Sequence, residues 1–202
     1  MVDWITRTME SLGYLGIGLL MFLENLFPPI PSELIMPLAG FTVSKGNMDF
    51  VPAVIAGVVG TVLGAFPWYF AGMYLGEGRL IQLADRYGKW LTVSGRDIET
   101  AIAWFNKYGG FAVFICRLVP GVRTLISLPA GLAHMNLFTF LLYSTAGTLI
   151  WTLLLTYAGF ALGENYDLVD EYLGPVSKIV LGGLAIAFAV WIFLRYQKQK
   201  AR

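Results

Sequence analysis

Histidine and cysteine each occur once in 202 residues, as His134 and Cys116. A lone imidazole cannot build a histidine-rich metal site, and no nucleophile–base pair accompanies it, so neither metal nor hydrolytic triad is expected. A lone thiol excludes an internal disulfide. Charge is equally scarce: Asp, Glu, Lys and Arg make up 13% of the chain, against roughly 25% in ordinary soluble proteins. The net charge of +1 lacks the concentrated basic face that nucleic-acid binding needs. The opening MVDWITRTMES has no basic n-region, and no small-residue cleavage site follows, so no cleaved signal peptide is expected. No nucleotide cradle is present, and no cofactor is expected.

What fills the chain is apolar. Hydrophobic residues make up 57% and the mean hydropathy is +0.67. A soluble domain of this size has too much surface for its volume to hide that much apolar area. The composition predicts a single all-α integral membrane domain.

Spanning the hydrocarbon takes about 20 apolar residues in a helix. Residues 51–76 carry no charge for 26 residues and 124–163 none for 40. Long helices are expected at 50–76 and 137–163. A third span is expected at 175–196, opened by Pro175 and ending in Trp191, Arg195 and Tyr196, which suit an interface. Two other stretches are too broken to cross. Leu12–Leu23 is followed by Glu24, Pro28, Pro29, Pro31 and Glu33 before an apolar run resumes; Phe111–Cys116 is followed by Arg117, Pro120, Gly121 and Arg123. Arms of roughly 10–16 residues reach about 15–24 Å, short of a core of about 30 Å. Carbonyls freed by proline cannot face lipid. Each stretch therefore predicts a re-entrant helical hairpin (12–42 and 109–134), with Pro28 and Pro31 breaking the first and Pro120 and Gly121 the second. Two kinked spanning helices are the alternative.

Between these units, 77–107 holds nine of the 27 charged residues. Leu80, Leu83, Ala84 and Tyr87, then Ile98, Ala101, Ile102 and Phe105, recur at helical spacing and predict amphipathic surface helices, with Ser94 and Asp97 opening the second. Five basic residues here and four in the tail RYQKQKAR, against one in each of 41–50 and 164–178, predict a cytoplasmic connector and C-terminus.

The chain also matches itself. Ala71-Gly72 and Leu75-Gly76-Glu77 return as Ala158-Gly159 and Leu162-Gly163-Glu164, with Met48 and Gly60 meeting Met135 and Gly147 at the same offset of 87. Pro37, Ala39 and Gly40 approach Pro129, Ala130 and Gly131 near 91. One crossing between the hairpins gives the halves (12–76 and 108–163) opposite orientation, an inverted repeat of hairpin plus helix typical of secondary transporters. Chance matching of small-residue packing faces is the competing explanation.

A lone charge at bilayer depth costs from about 3 to above 10 kcal/mol, so it is paired or functional. Glu24 and Glu33 lie in the first break, Arg117 and Arg123 in the second. Two Glu–Arg pairs locking the hairpins together would be the structural account. The functional account uses each group's chemistry. Guanidinium forks suit phosphate oxygens, a helix restarting after Pro120–Gly121 would add backbone N–H groups, and Thr124 and Ser127 follow within reach, as binding groups or as caps. An apolar setting favours the protonated carboxyl, making Glu24 and Glu33 the candidate proton carriers. The sum is a proton-linked anion carrier. His134, Cys116, Pro67, Trp68 and Tyr69 are read as loop or packing residues.

FLEN at 22–25, P-x-x-P-S-E ending at Glu33, PLAG at 37–40 and F-x-x-R-L-V-P-G-V-R followed by PAG resemble the DedA family of membrane proteins over about residues 12–191. That resemblance implies two facing re-entrant hairpins in a bacterial cytoplasmic membrane. It also implies movement of lipids, above all undecaprenyl phosphate or a phospholipid such as phosphatidylethanolamine, with dependence on the proton gradient. The family's two acids and two arginines fall on Glu24, Glu33, Arg117 and Arg123. The expected partners are a membrane lipid and protons, with a homo-oligomer possible. A small-ion transporter, a non-transporting scaffold and a lipid enzyme are the rival classes.

Overall fold

The computed structural model describes residues 2–26, 32–79, 81–82, 95–120 and 122–163. The expected C-terminal span, the acidic 164–178 loop, Ser94, Pro28, Pro31 and Gly121 lie outside the described residues. Within them the principal elements are seven helices: α1 (Val2–Leu12), α2 (Tyr14–Leu26), α3 (Ser32–Ser44), α4 (Phe50–Leu75), α5 (Gly95–Arg117), α6 (Ser127–Leu132) and α7 (Leu137–Ala161). No strand occurs among the described residues.

Length separates two kinds of helix. At 1.5 Å per residue, α4 with 26 residues and α7 with 25 run about 39 and 37 Å, enough to cross a bilayer. α2 and α3 have 13 residues each and reach only about 20 Å. Both long helices are apolar outside and polar or small inside. α4 exposes Val51, Ile55, Val59 and Leu63 at four-residue spacing. α7 exposes Leu142, Leu149, Leu153 and Leu154 while burying Ser144, Thr148, Thr152 and Thr156. The inner hydroxyls are held along the helix: Thr152 donates to Thr148 O at 2.9 Å and Thr156 to Thr152 O at 2.7 Å. This inverts the pattern of a helix in water and suits a lipid surround, where small and hydroxyl side chains carry helix packing. Pro67 sits inside α4, and the helix runs on through it.

Three details depart from the sequence expectation. α1, which the hydropathy pattern left unassigned, buries Ile5 and Met9 in the cluster formed with Ile17, Leu20, Ile35 and Met36. Gly13, at φ +58° with its N–H on Met9 O at 2.8 Å, turns it into α2. α5 runs from the amphipathic segment into the arm that ends at Arg117, bending at Gly109 (φ +49°, ψ −125°), a backbone conformation that glycine alone adopts freely. Finally, no helix restarts directly after the break. Residues 118–120 and 122–126 form turns and a bend, and α6 begins only at Ser127.

Packing is crosswise: α2 and α6 lie on α4, while α3 and α5 lie on α7. Glycines permit the approach. A Cβ on Gly40 of α3 would strike the Thr156 carbonyl and come 2.8 Å from Phe160 N on α7; one on Gly131 of α6 would strike the Tyr69 carbonyl and come 2.9 Å from Met73 N on α4. In the reverse sense, Gly72 of α4 faces Leu128 O and Gly159 of α7 faces Pro37 O.

Candidate functional site

The site is built from side chains that a bilayer interior should not tolerate singly. Glu24 and Asn25 come from the last turn of α2, Ser32 and Glu33 from the first turn of α3, Arg117 from the end of α5, Arg123 and Thr124 from the turns, and Ser127 from the start of α6. Glu24, Asn25, Ser32, Arg117, Arg123, Thr124 and Ser127 are all buried, with Arg117 only 1% exposed. Glu33 is half-buried.

Arg123 Nη2 donates to Glu24 Oε1 in a buried salt bridge that joins the two broken segments. Arg117 has no carboxylate in direct contact among the described residues. Its Nη2 donates to Ser127 Oγ at 2.9 Å and its Nε to Ser144 Oγ at 3.2 Å. The guanidinium lies 5.8 Å from the centroid of the Phe140 ring. A Cβ on Gly147 would press on the Arg117 Cβ at 2.7 Å. Phe140, Ser144 and Gly147 sit at i, i+4 and i+7 on one face of α7, so that face is the seat of Arg117. Arg117, Arg123 and Glu33 all lie within electrostatic range of Glu24.

The arrangement corrects two expectations. The locking pairs number one, Glu24–Arg123; Glu33 enters no ion pair among the described residues. The backbone amides of Val122 and Arg123 do not face an anion, because both donate to Val119 O at 3.3 Å. Six-residue α6 adds no helix-terminal site, and the donors that the buried side chains supply are those of Arg117, Arg123, Thr124 and Ser127.

Several polar atoms of these side chains are not used within the protein. Arg117 Nη1, Glu24 Oε2, Asn25 Oδ1, Ser32 Oγ and Thr124 Oγ1 are buried without hydrogen-bond partners among the described residues. Buried polar atoms normally find partners, and five orphans in one region mark a place where a polar ligand or a second arrangement of the same groups completes the bonding. Beside it, a lateral apolar groove of about 360 Å³ runs between α2 and α4, lined by Leu15, Gly18, Leu19, Phe22, Val59 and Leu63. Phe22 stands one turn before Asn25.

Sequence reasoning missed Asn25, Ser32 and Ser144. Ser144 had a signal, since Ser144, Thr148, Thr152 and Thr156 repeat every four residues in an otherwise apolar helix. Asn25 and Ser32 adjoin the charges that drew the attention.

A helical bundle with two helices long and apolar enough to cross a membrane and a buried group of charged side chains defines the class, and comparison with known proteins defines the family. Residues 30–161 match the VTT domain, and the chain belongs to this family, the DedA membrane proteins. It is 40% identical to the alkaline phosphatase-like protein of Lactococcus lactis subsp. cremoris over 98% of this chain and 94% of that one. It is 34% identical to undecaprenyl phosphate transporter A of Staphylococcus aureus, over 98% of this chain and 97% of the other. Identity to the inner membrane protein YqjA of Escherichia coli K12 is 30%, covering 78% and 71%. No solved structure matches the chain significantly.

Proposed function

We propose that this protein is a transporter that moves an anionic lipid phosphate, undecaprenyl phosphate, across the cytoplasmic membrane in a proton-linked cycle. The observation that carries the reading is the buried Arg123–Glu24 pair beside an Arg117 that, among the described residues, has a free Nη1 and no carboxylate of its own. A phosphate competes for the guanidinium forks with the chemistry Glu24 already uses. Protonation of Glu24 removes its claim on Arg123, which then joins Arg117 at the head group; return of the carboxylate expels it. Thr124 and Ser127 stand beside the arginines as further donors, and Glu33 supplies a second proton site within reach of Glu24. The α2–α4 groove offers the prenyl chain a lipid-facing track that ends at Phe22, one turn before Asn25.

An inverted repeat of two re-entrant hairpins, 12–42 and 109–134, supplies the motion in this reading, rocking about their broken tips to present the site to either leaflet. The crosswise packing supports it. Gly40 against Thr156 and Phe160 corresponds to Gly131 against Tyr69 and Met73, with one offset of 91 on the short arms and one of 87 on the long helices. The 13-residue arms, too short to span, support the re-entrant geometry.

The relatives called undecaprenyl phosphate transporter A favour this lipid. The name alkaline phosphatase-like makes phosphate hydrolysis the competing reading. The deciding experiment is transbilayer movement of labelled undecaprenyl phosphate in proteoliposomes, with and without a pH gradient, for wild type and Arg123→Gln. Gradient-sensitive movement that needs Arg123, without release of inorganic phosphate, is the expected result. Movement unchanged in the variant returns the arginine to a structural role, and phosphate release indicates hydrolysis.

A further inference from the structure

The contacts that seat Arg117 recur around Asn25. On α7, Ser144 Oγ accepts from Arg117, and a Cβ on Gly147 would lie 2.7 Å from the Arg117 Cβ and 2.8 Å from Phe114 O. On α4, the Thr61 carbonyl accepts from Asn25 Nδ2 at 2.8 Å, and a Cβ on Gly64 would lie 2.7 Å from the Asn25 Cβ and 2.8 Å from Phe22 O. The spacings agree as well: Thr61 precedes Gly64 as Ser144 precedes Gly147, and Phe22 precedes Asn25 as Phe114 precedes Arg117. Asn25, not the neighbouring Glu24, is therefore the counterpart of Arg117. The offset of 91 that relates Gly40 to Gly131 relates Ser32 to Arg123. Each arginine of the second segment thus has a neutral, fully buried counterpart in the first, and both counterparts carry an oxygen without a partner, Asn25 Oδ1 and Ser32 Oγ.

The bond to Thr61 O decides which end of the Asn25 amide is which, since only the NH₂ end donates. Oδ1 remains as a pure acceptor. A bare phosphate oxygen has nothing to give it; a P–OH does. A phosphate monoester keeps one ionisable hydroxyl, with a second pKa near 6, which apolar surroundings help it retain. A phosphodiester head group has no P–OH at all. We propose that Asn25 and Ser32 form the neutral half of the head-group site: the Ser32 hydroxyl donates to a phosphate oxygen of any ester, while Asn25 Oδ1 accepts the P–OH of a monoester, so that Asn25 makes the protein select monoester over diester lipids. The inference rests on the phosphate-binding reading above and adds the feature that would distinguish a prenyl phosphate from a phospholipid.

The test is competition binding to the full chain in detergent at pH 6, comparing farnesyl phosphate, its methyl diester and inorganic phosphate; the diester keeps the tail and the phosphate but has no hydroxyl to donate. The expected wild-type preference for farnesyl phosphate over the diester is about tenfold or more, because a site built to hydrogen-bond a hydroxyl strongly rejects the analogue lacking it. Asn25→Leu should shrink that ratio severalfold, whereas Ser32→Ala, which removes a donor open to either lipid, should weaken both alike. Asn25 also ties α2 to α4, so the wild-type ratio decides alone if Asn25→Leu does not fold. An unchanged ratio in folded Asn25→Leu overturns the proposal, as does a wild type that binds both lipids equally through Arg117. Inorganic phosphate competing as well as farnesyl phosphate overturns the lipid source. Failure of folded wild type to bind any of the three overturns the phosphate reading itself.

Discussion

Arg123 and Glu24, 99 residues apart in sequence, meet as a salt bridge in which both side chains are 5% exposed. Taking either partner away strands the other in a low-dielectric interior, a loss of about 3–5 kcal/mol. Arg123→Gln is expected to lower thermal stability and abolish transport. Adding Glu24→Gln should restore most of the stability and none of the transport, measured by thermal unfolding in detergent beside the proteoliposome assay. Recovery of transport in the double variant would reduce the pair to a structural lock.

Ser144 holds Arg117 by Nε from the inner face of α7. Ser144→Ala leaves a buried guanidinium N–H unpaired at a cost of about 1–3 kcal/mol. Lipid affinity is expected to fall with the maximal rate less affected, and Ser144→Thr should rescue it. Equal loss in the Ala and Thr variants would assign the effect to packing.

Thr124 is buried with an unpartnered hydroxyl, so the near-isosteric Thr124→Val should leave folding intact, within about 0.5 kcal/mol, or stabilise it slightly. Transport should drop severalfold. A destabilised variant with normal transport would mean that the hydroxyl caps the turn.

Gly40 lies so close to the Thr156 carbonyl that any Cβ collides with backbone. Gly40→Val should prevent recovery of monodisperse protein, and Gly131→Val should do the same at the matching contact. Gly46, which has nothing within 4 Å of a Cβ, tests the contrast: Gly46→Asn should purify normally, because Asn tolerates its positive φ.

Ile55 on α4 is 55% exposed on the stripe with Val51 and lies outside the α2–α4 groove. If that stripe meets lipid, Ile55→Leu is neutral while Ile55→Asp costs about 2.5 kcal/mol or more at mid-membrane depth. Membrane yield of the two variants reads this directly.

Composition and hydropathy alone determined the membrane class, because the sum of apolar surface leaves no soluble solution. They also located α4 and α7 to within a residue or two, since a charge-free run longer than the bilayer permits few alternatives. Proline and charge marked the broken segments, and simple desolvation marked Glu24, Arg117 and Arg123 as residues needing partners. Chain order could not say which partner each would find. That Arg123 takes Glu24 while Arg117 takes Ser127 and Ser144 depends on how α5 and α7 pack, through the space left by Gly147. The sequence repeat matched Gly60 with Gly147 at an offset of 87, yet the contacts match Gly64 with Gly147; one helical turn separates the two registers, and periodic small residues look alike under either. The neutral pair Asn25 and Ser32 was invisible for the same reason: an uncharged side chain draws no notice in a sequence, and only burial without a hydrogen-bond partner, a property of the folded chain, sets it apart.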